Sequence, residues 1–335
     1  MSTSEVTDTP SATPKFRSSG SRPGDAIFKG LSVGSGLIIF LTLALVAVFL
    51  TQQGWPAVME SKELTGKATD VSLLKYTGPL IFGTVYAALL ALALAVPVAV
   101  GIALFISHFA PRRLAAPLGF LIDLLAAVPS VVFGLWGGVW LVPRLQPLYE
   151  LLNKTLGTYP KWPAFVPFIG NKPIIAIFAG DPQAPMRNLA TAAVVLAVMI
   201  LPIITAVARE VFLQTPRLQE EAALALGATR WEMIRTVVLP FGSSGVVSAS
   251  MLGLGRALGE TMAVLMILSP GYSYSWHIFE PGRHATIAAN IASKQAESAG
   301  VDMSRLIFTG LVLFVITFVI NALARAIVSR SQKKG

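Results

Sequence analysis

The chain has 335 residues, of which 54% are hydrophobic and only 13% are charged. This charged share is about half that of an ordinary soluble domain, which argues against a water-soluble enzyme. The formal net charge is +9, but the basic residues are scattered singly, so a nucleic-acid-binding groove is not predicted. The chain has no cysteine, and His108, His277 and His284 are too far apart for a zinc site. We interpret these histidines as surface or interfacial residues.

Six apolar segments are long enough for membrane helices, which need about 20 apolar residues each. A tail rich in serine, threonine and proline, residues 1–29, precedes them and is expected to be disordered and cytoplasmic. The first apolar segment is too long for the core of a signal peptide, so we expect a retained anchor. The sequence predicts an all-α, polytopic membrane protein. Its predicted spans are 31–50, 79–106, 114–142, 188–208, 236–268 and 306–328.

Basic residues orient such a chain, because they collect in short loops on the cytoplasmic side. They are more numerous inside when both termini are placed in the cytoplasm, which is the predicted topology. The first helix and its outer loop then occupy residues 30–78, and a core with five helices occupies residues 79–330. The long outer loop at 143–187 contains repeated prolines, which exclude a continuous further helix. Its apolar piece at 174–179 is too short to cross and is expected to form a short outer element.

The segment between the fourth and fifth spans is the most informative stretch of the chain. It reads PRLQEEAALALGATRWEMIRTVVLP from Pro216 to Pro240. It begins with proline, is rich in helix formers and contains Gly227, which predicts a short amphipathic helix within residues 216–235. From composition alone, two interpretations stay open. One is an ordinary interfacial connector, and the other is a helix that inserts into the groove of a partner protein.

The spacing within this segment favours the second interpretation. Glu221, Ala222 and Ala223 are followed after three residues by Gly227 and later by Leu239–Pro240. This pattern resembles the EAA loop of bacterial ABC import permeases, with Val237 in place of isoleucine as the only departure. The resemblance implies an ABC type I importer (MetI-like) permease fold and a coupling helix that docks into a cytoplasmic ATPase subunit. No P-loop motif is present, so we do not expect this chain to hydrolyse ATP by itself.

Two charges, Arg256 and Glu260, fall inside the predicted fifth span. A charge at the centre of a membrane helix costs about 2.5 to 3.5 kcal/mol, whereas an exposed ion pair at this spacing stabilises by only about 0.2 to 0.5 kcal/mol. Spaced four apart, the two side chains are predicted to share one helical face. A structural ion pair and a substrate pathway both remain possible, and the costs favour the pathway. An arginine fork matches an oxyanion, and Glu260 suits the hydroxyl of hydrogenphosphate, which sulfate lacks.

Nearby residues have structural interpretations. Gly255 and Gly259 form a GxxxG pattern, which predicts close helix packing. Asp123 is the remaining charge within a predicted span, and we expect a structural role with burial against a partner such as Arg256 or polar backbone. No metal site and no catalytic residue is predicted.

The residues around Arg256, GRALGETMAV at 255–264, resemble the fifth-span signature of the PstC family. Members of this family are one of two permease subunits in phosphate ABC importers. Runs at 129–137, 286–292 and 313–325 agree as well, so the resemblance covers roughly residues 78–328. It implies translocation of inorganic phosphate across the bacterial cytoplasmic (inner) membrane.

The same resemblance implies partners. They are a PstA-like second permease, a PstB-like ATP-binding subunit dimer and a PstS-like phosphate-binding protein outside the membrane. ATP and Mg²⁺ would then be bound by the partner ATPase, and this chain would hold no cofactor. Two alternatives remain. Sulfate and molybdate permeases share a similar Arg-Ala-Leu-Gly-Glu core, whereas an ATPase-independent transporter or channel leaves the EAA spacing unexplained.

Overall fold

The computed structural model describes residues 23–60, 72–157, 176–178 and 187–332. All regular structure within these ranges is helical. The chain divides into two compact units, the first ending at Phe49 and the second beginning at Leu50. The predicted disordered tail up to residue 22, residues 61–71 of the first outer loop and much of the loop at 143–187 lie outside the described residues. Residues 23–29, predicted as part of the tail, are already helical.

Twelve α-helices occur in the described ranges, and several are joined by π-helical turns. The turns are Phe105–Phe109, Trp136–Leu141, Asn153–Gly157 and Ile234–Val238. Ala176–Phe178 is a 3₁₀ turn within the predicted short outer element. The helices are α1 (Pro23–Met59), α2 (Leu73–Leu104), α3 (Arg112–Ala126), α4 (Ser130–Leu135), α5 (Val142–Leu152), α6 (Leu189–Leu213), α7 (Arg217–Ala225), α8 (Arg230–Met233), α9 (Leu239–Leu258), α10 (Met262–Ile267), α11 (Ile287–Lys294) and α12 (Val301–Gln332).

Five helical segments of the described chain are long and apolar enough to cross a membrane. A sixth span results if the bent pair Arg113–Ala126 and Ser130–Leu156 is counted as one. The prediction of an all-helical polytopic chain is therefore confirmed, and the count of six holds with the third span in a bent form.

The third span is bent. Its two halves meet at an angle of 87°, so the segment predicted at 114–142 is kinked, as the proline at 129 in the sequence leads us to expect, and is not one continuous helix. Pro129 stands at the bend, where it lacks a backbone N–H and disfavours a helical residue before it. Beyond the bend the chain stays helical to Gly157, which lies within the predicted outer loop. The π turn Trp136–Leu141 directly precedes α5 and Pro143, and such local π adjustments accommodate a proline within a membrane helix.

The fifth span is broken as well. The helix from Arg230 ends at Leu258, and α10 starts only at Met262, so the continuous span predicted over 236–268 is wrong. A local hydrogen bond explains the break. The carboxylate of Glu260 accepts from the backbone N–H of Ala263 and so caps α10, an arrangement that competes with continuation of α9.

The core of the second unit forms where α2, α6 and α9 pack together. Small side chains allow this close approach, as is common between membrane helices. On α9, for example, a Cβ added to Gly253 would lie 2.8 Å from Cδ1 of Ile204 on α6. This packing holds the C-terminal end of α9, and with it Arg256, in a defined place. The buried alanines of α2 in the core are Ala87, Ala88, Ala91, Ala95 and Ala99.

Candidate functional site

The two helix breaks lie beside one another. On one side of the bend in the third span, Nη1 of Arg256 lies 3.5 Å from the carbonyl oxygen of Ala126, the last residue of α3. On the other side, a Cβ added to Gly134 of α4 would lie 2.9 Å from Cα of Ala263 in α10. Only glycine permits this approach. The structure therefore joins α3 to α9 and α4 to α10 around the two interruptions.

Arg256 lies in the last turn of α9 and is partly buried. Its guanidinium points to the C-terminal end of α3, where carbonyl groups without helical partners carry partial negative charge. The bond to Ala126 is long, and it is the one hydrogen bond that the guanidinium donates within the described residues. Since a guanidinium has five N–H donors, most of them remain for a ligand.

Glu260 lies in the break and does not pair with Arg256. It is 8% exposed, and its Oε1 atom accepts a hydrogen bond of 3.0 Å from the N–H of Ala263. The ion pairs among the described residues do not include one between Glu260 and Arg256. The predicted shared helical face is wrong, because α9 ends between the two residues. The carboxylate thus serves the N-terminus of α10, where a negative charge is stabilised.

Two other predictions near Arg256 fail within this chain. Gly255 has no atom within 4 Å of an added Cβ, so its glycine pattern does not mark close packing against another helix of the described residues. Asp123 is exposed on α3, not buried against Arg256. The surface beside the arginine is therefore open on the Gly255 side.

The predicted coupling segment forms helix α7 and projects from the bundle. None of the residues of α7 is buried. Glu221 is exposed, and so are two leucines, Leu218 with 78% and Leu226 with 91% of their surface accessible. Large apolar side chains exposed together are typical of a surface that contacts another protein or a membrane.

Gly227 ends this helix for a conformational reason. Its φ of 88° lies in the left-handed region, which strongly favours glycine. The N–H of Ala228 donates to the carbonyl of Ala223 at 3.2 Å, and that of Gly227 to the carbonyl of Leu224 at 3.0 Å. These two bonds form a Schellman motif. The glycine of the EAA pattern is thus the residue that turns the chain back toward the bundle.

After the turn, the segment is joined firmly to the spans. Thr229 and Glu232 form a reciprocal capping box at the start of α8, with bonds of 3.3 and 2.8 Å. The following π turn buries Ile234 and Val238 against Phe212 of α6. The chain then enters α9 at Leu239 and Pro240, the last pair of the EAA pattern. The connection between α7 and α9 is therefore packed against α6.

His108 makes a second connection, which the sequence interpretation missed. Its Nε2 lies 3.5 Å from Oε1 of Glu220 on α7, and its Nδ1 lies 2.7 Å from Oγ of Ser107. The contact joins α7 to the π turn at the end of α2. The two residues are far apart in sequence and neither belongs to a motif, so no sequence signal pairs them.

His284 also differs from the surface or interfacial position expected of it. It is 1% exposed in the segment between α10 and α11, and its Nε2 donates to the carbonyl of Ser275 at 2.7 Å. Burial lowers its pKa below the usual value of 6.5, although the bond to Ser275 opposes this shift. Its Nδ1 has no hydrogen-bond partner within the described residues.

Comparison with known proteins places this chain in a family. The family described as "Binding-protein-dependent transport system inner membrane component" matches residues 95–333. The chain belongs to this family. It is therefore a multi-pass inner membrane protein and a permease component of a transport system. The matched region includes both helix breaks and the whole coupling segment.

Several curated relatives within this permease family are similar over almost the whole chain. The "Phosphate transport system permease protein PstC 2" of Mycobacterium tuberculosis is 45% identical over 314 residues, covering 91% of this chain and 92% of the relative. The "Phosphate transport system permease protein PstC" of Mesorhizobium japonicum is 37% identical over 311 residues, covering 91% and 90%. A solved structure of the MetNI methionine ABC transporter, in an inward-facing conformation, matches 77% of this chain and 95% of its own at 17% identity, with a TM-score of 0.48.

Proposed function

We propose that this chain is a permease subunit of an ATP-driven importer that carries inorganic phosphate inward across the bacterial cytoplasmic membrane. The observation that carries this proposal is 45% identity, over 91% of the chain, to a relative named as a phosphate transport permease. The chemistry of the Arg256 site supports it independently.

Arg256 is the proposed contact for the anion. Irregular backbone at membrane depth is tolerated where it lines a cavity or is buried in protein, and broken helices mark the substrate sites of many transporters. Here two breaks flank one guanidinium that has no carboxylate partner within the described chain. Its planar fork of donors suits two oxygens of a phosphate ion. Glu260 keeps α10 in place beside it by capping that helix.

The proposed contact with the ATPase lies near the start of the fifth span, at the end opposite to Arg256. We propose that a separate ATPase binds α7 through Glu221 and the exposed leucines, and that this partner holds ATP and Mg²⁺. Motion of α7 then reaches α9 through the buried π turn, and α2 through the contact between His108 and Glu220. By the same reasoning, the full pathway requires a PstA-like second permease, a PstB-like ATPase dimer and a PstS-like binding protein.

The test is phosphate uptake into liposomes that contain the assembled importer. Arg256→Gln keeps a polar side chain but removes its charge and the guanidinium fork, so we expect uptake to fall at least about tenfold. The matched control is Arg325→Gln, which removes the same charge from an exposed position on α12. Co-purification of the ATPase checks assembly. Normal uptake by Arg256→Gln would exclude the proposed contact, and equal inhibition by excess sulfate would favour a less selective oxyanion importer.

A further inference from the structure

A cavity of about 570 Å³ lies at the end of α2 opposite to the coupling segment. Tyr76 on its wall and His108 beside α7 are separated by 32 residues of this helical segment, or roughly 48 Å at 1.5 Å per residue. The cavity has the size of a small-molecule site. It is lined by the start of α2, the segment before α11, the end of α11 and the start of α12.

A hydrogen-bond network organises one wall of this cavity. Asn290, which is 4% exposed, donates from Nδ2 to the hydroxyl of Tyr76 at 2.7 Å. Its Oδ1 accepts from the hydroxyl of Tyr272 at 2.6 Å. The two tyrosine rings stack with their centroids 5.7 Å apart. Since the Tyr76 hydroxyl is an acceptor toward Asn290, its own proton is free to be donated into the cavity.

Lys294 supplies a fixed positive charge beside this wall. Its Nζ lies 4.7 Å from the ring centroid of Tyr272 and 5.4 Å from that of Tyr76, which are cation–π distances. Burial opposes the charge, but a hydrogen bond with Tyr272 and the electrostatic influence of both tyrosines raise the pKa of Lys294 above its usual value. The ammonium group is therefore charged at physiological pH.

The other charges of the lining leave room for an anion. Arg305 and Asp302 bind each other at 2.9 Å and largely cancel. Lys75 and Lys294 then face one remaining carboxylate, Glu297. A carboxylate among cations accepts a hydrogen bond from a protonated oxygen, which hydrogenphosphate carries and sulfate at neutral pH does not.

We propose that this cavity binds a phosphate group, at a site separate from Arg256. The group is either free inorganic phosphate or the head group of a membrane phospholipid. Lys294 and Lys75 supply the charge, and the Tyr76 hydroxyl donates a hydrogen bond. The branch with free phosphate rests on the proposed function, in which that ion is the transported substrate.

Binding to the full chain, purified in a maltoside detergent that contains no phosphate, tests the proposal. Equilibrium dialysis with radiolabelled inorganic phosphate examines the first source, and native mass spectrometry with phosphatidylglycerol examines the second. Diacylglycerol with the same acyl chains is the control lipid, because it lacks the phosphate. The variants are Lys294→Gln, Lys294→Arg and Tyr76→Phe, and Lys154→Gln is the matched control at an exposed position outside the cavity.

We expect at least one phosphate-bearing probe to bind about tenfold more weakly to Lys294→Gln. Lys294→Arg, which keeps the charge, should bind normally, and Tyr76→Phe should bind a few-fold more weakly while its ring still stacks. Binding that persists in Arg256→Gln establishes a separate site. The probe that binds identifies the source. The proposal would be overturned if each probe bound Lys294→Gln as tightly as the unmodified chain. Failure of the proposed transport function would show separately, as an absence of phosphate uptake by the assembled importer.

Discussion

The contact between α4 and α10 yields a quantitative prediction about the helix breaks. Gly134 carries no side chain, and a Cβ placed there would lie 2.9 Å from Cα of Ala263 and 3.0 Å from Sδ of Met266. The sulfur can move, but the backbone of α10 cannot move without disturbing the cap that Glu260 provides. Gly134→Ala should therefore separate α4 from α10 and disorder the site around Arg256.

The magnitude follows from two opposing terms. Alanine in a helix is favoured over glycine by about 0.5 to 1 kcal/mol, whereas overpacking of a filled interface costs about 1 to 3 kcal/mol. Gly101 on α2 is the matched control, because it is also helical and has no atom within 4 Å of an added Cβ. Gly101→Ala should gain the helix propensity of alanine without the cost of overpacking. The two variants should thus differ by about 1 to 3 kcal/mol, or roughly 5- to 150-fold in the folding equilibrium constant.

Reversible unfolding in mixed detergent and SDS micelles, followed by far-UV circular dichroism, measures this difference. Phosphate uptake by the assembled importer should fall for Gly134→Ala and remain normal for Gly101→Ala. The reasoning is refuted if Gly134→Ala is as stable as Gly101→Ala. If Gly134→Ala is less stable but transports normally, α4 and α10 pack as described but their spacing does not matter for the Arg256 site.

Two further predictions concern the coupling segment and the segment before α11. Glu221→Ala should uncouple ATP hydrolysis from phosphate uptake, so that more ATP is consumed per phosphate transported into liposomes. Gln219→Ala, two residues earlier on α7 and also exposed, should leave this ratio unchanged. An unchanged ratio for Glu221→Ala would contradict docking through this residue. Because burial lowers the pKa of His284 below 6.5, its contribution to stability is present above that pH and is lost as the pH falls below it. His284→Gln should flatten the dependence of the melting temperature on pH between about 5 and 7. Equal slopes for the unmodified chain and His284→Gln would exclude His284 as the titrating group.

Local chemistry made parts of this molecule predictable. The apolar stretches identify the helical spans because a membrane helix must be apolar over its whole length. Helix α7 lies within the predicted range of 216–235, since Pro216 precedes its first turn and Gly227 supplies the positive φ that ends it. These signals act over a few residues and do not depend on the rest of the fold.

The helix breaks were not predictable in the same way. A straight and a bent helix of the same composition have the same hydropathy, so hydropathy alone does not reveal the bend of 87° in the span at 114–142. Pro129 does mark where a kink is favoured, but it does not set the angle. The contact between His108 and Glu220 joins residues 112 positions apart and arises only when the bundle is formed. The spacing of Arg256 and Glu260 was correct for a pair on one helix, but the helix ends between them.

This interruption changes the argument for a substrate pathway through Arg256. In a continuous helix the two charges would neutralise each other, and a passing anion would have to compete with a carboxylate four residues away. In the structure, Glu260 is stabilised by the backbone N–H of Ala263. Arg256 is left with one long bond to the carbonyl of Ala126. A guanidinium inside a membrane protein requires more compensation than a single carbonyl provides. Under the proposed function an oxyanion supplies it, and the break that separates the pair leaves the arginine able to bind the transported ion.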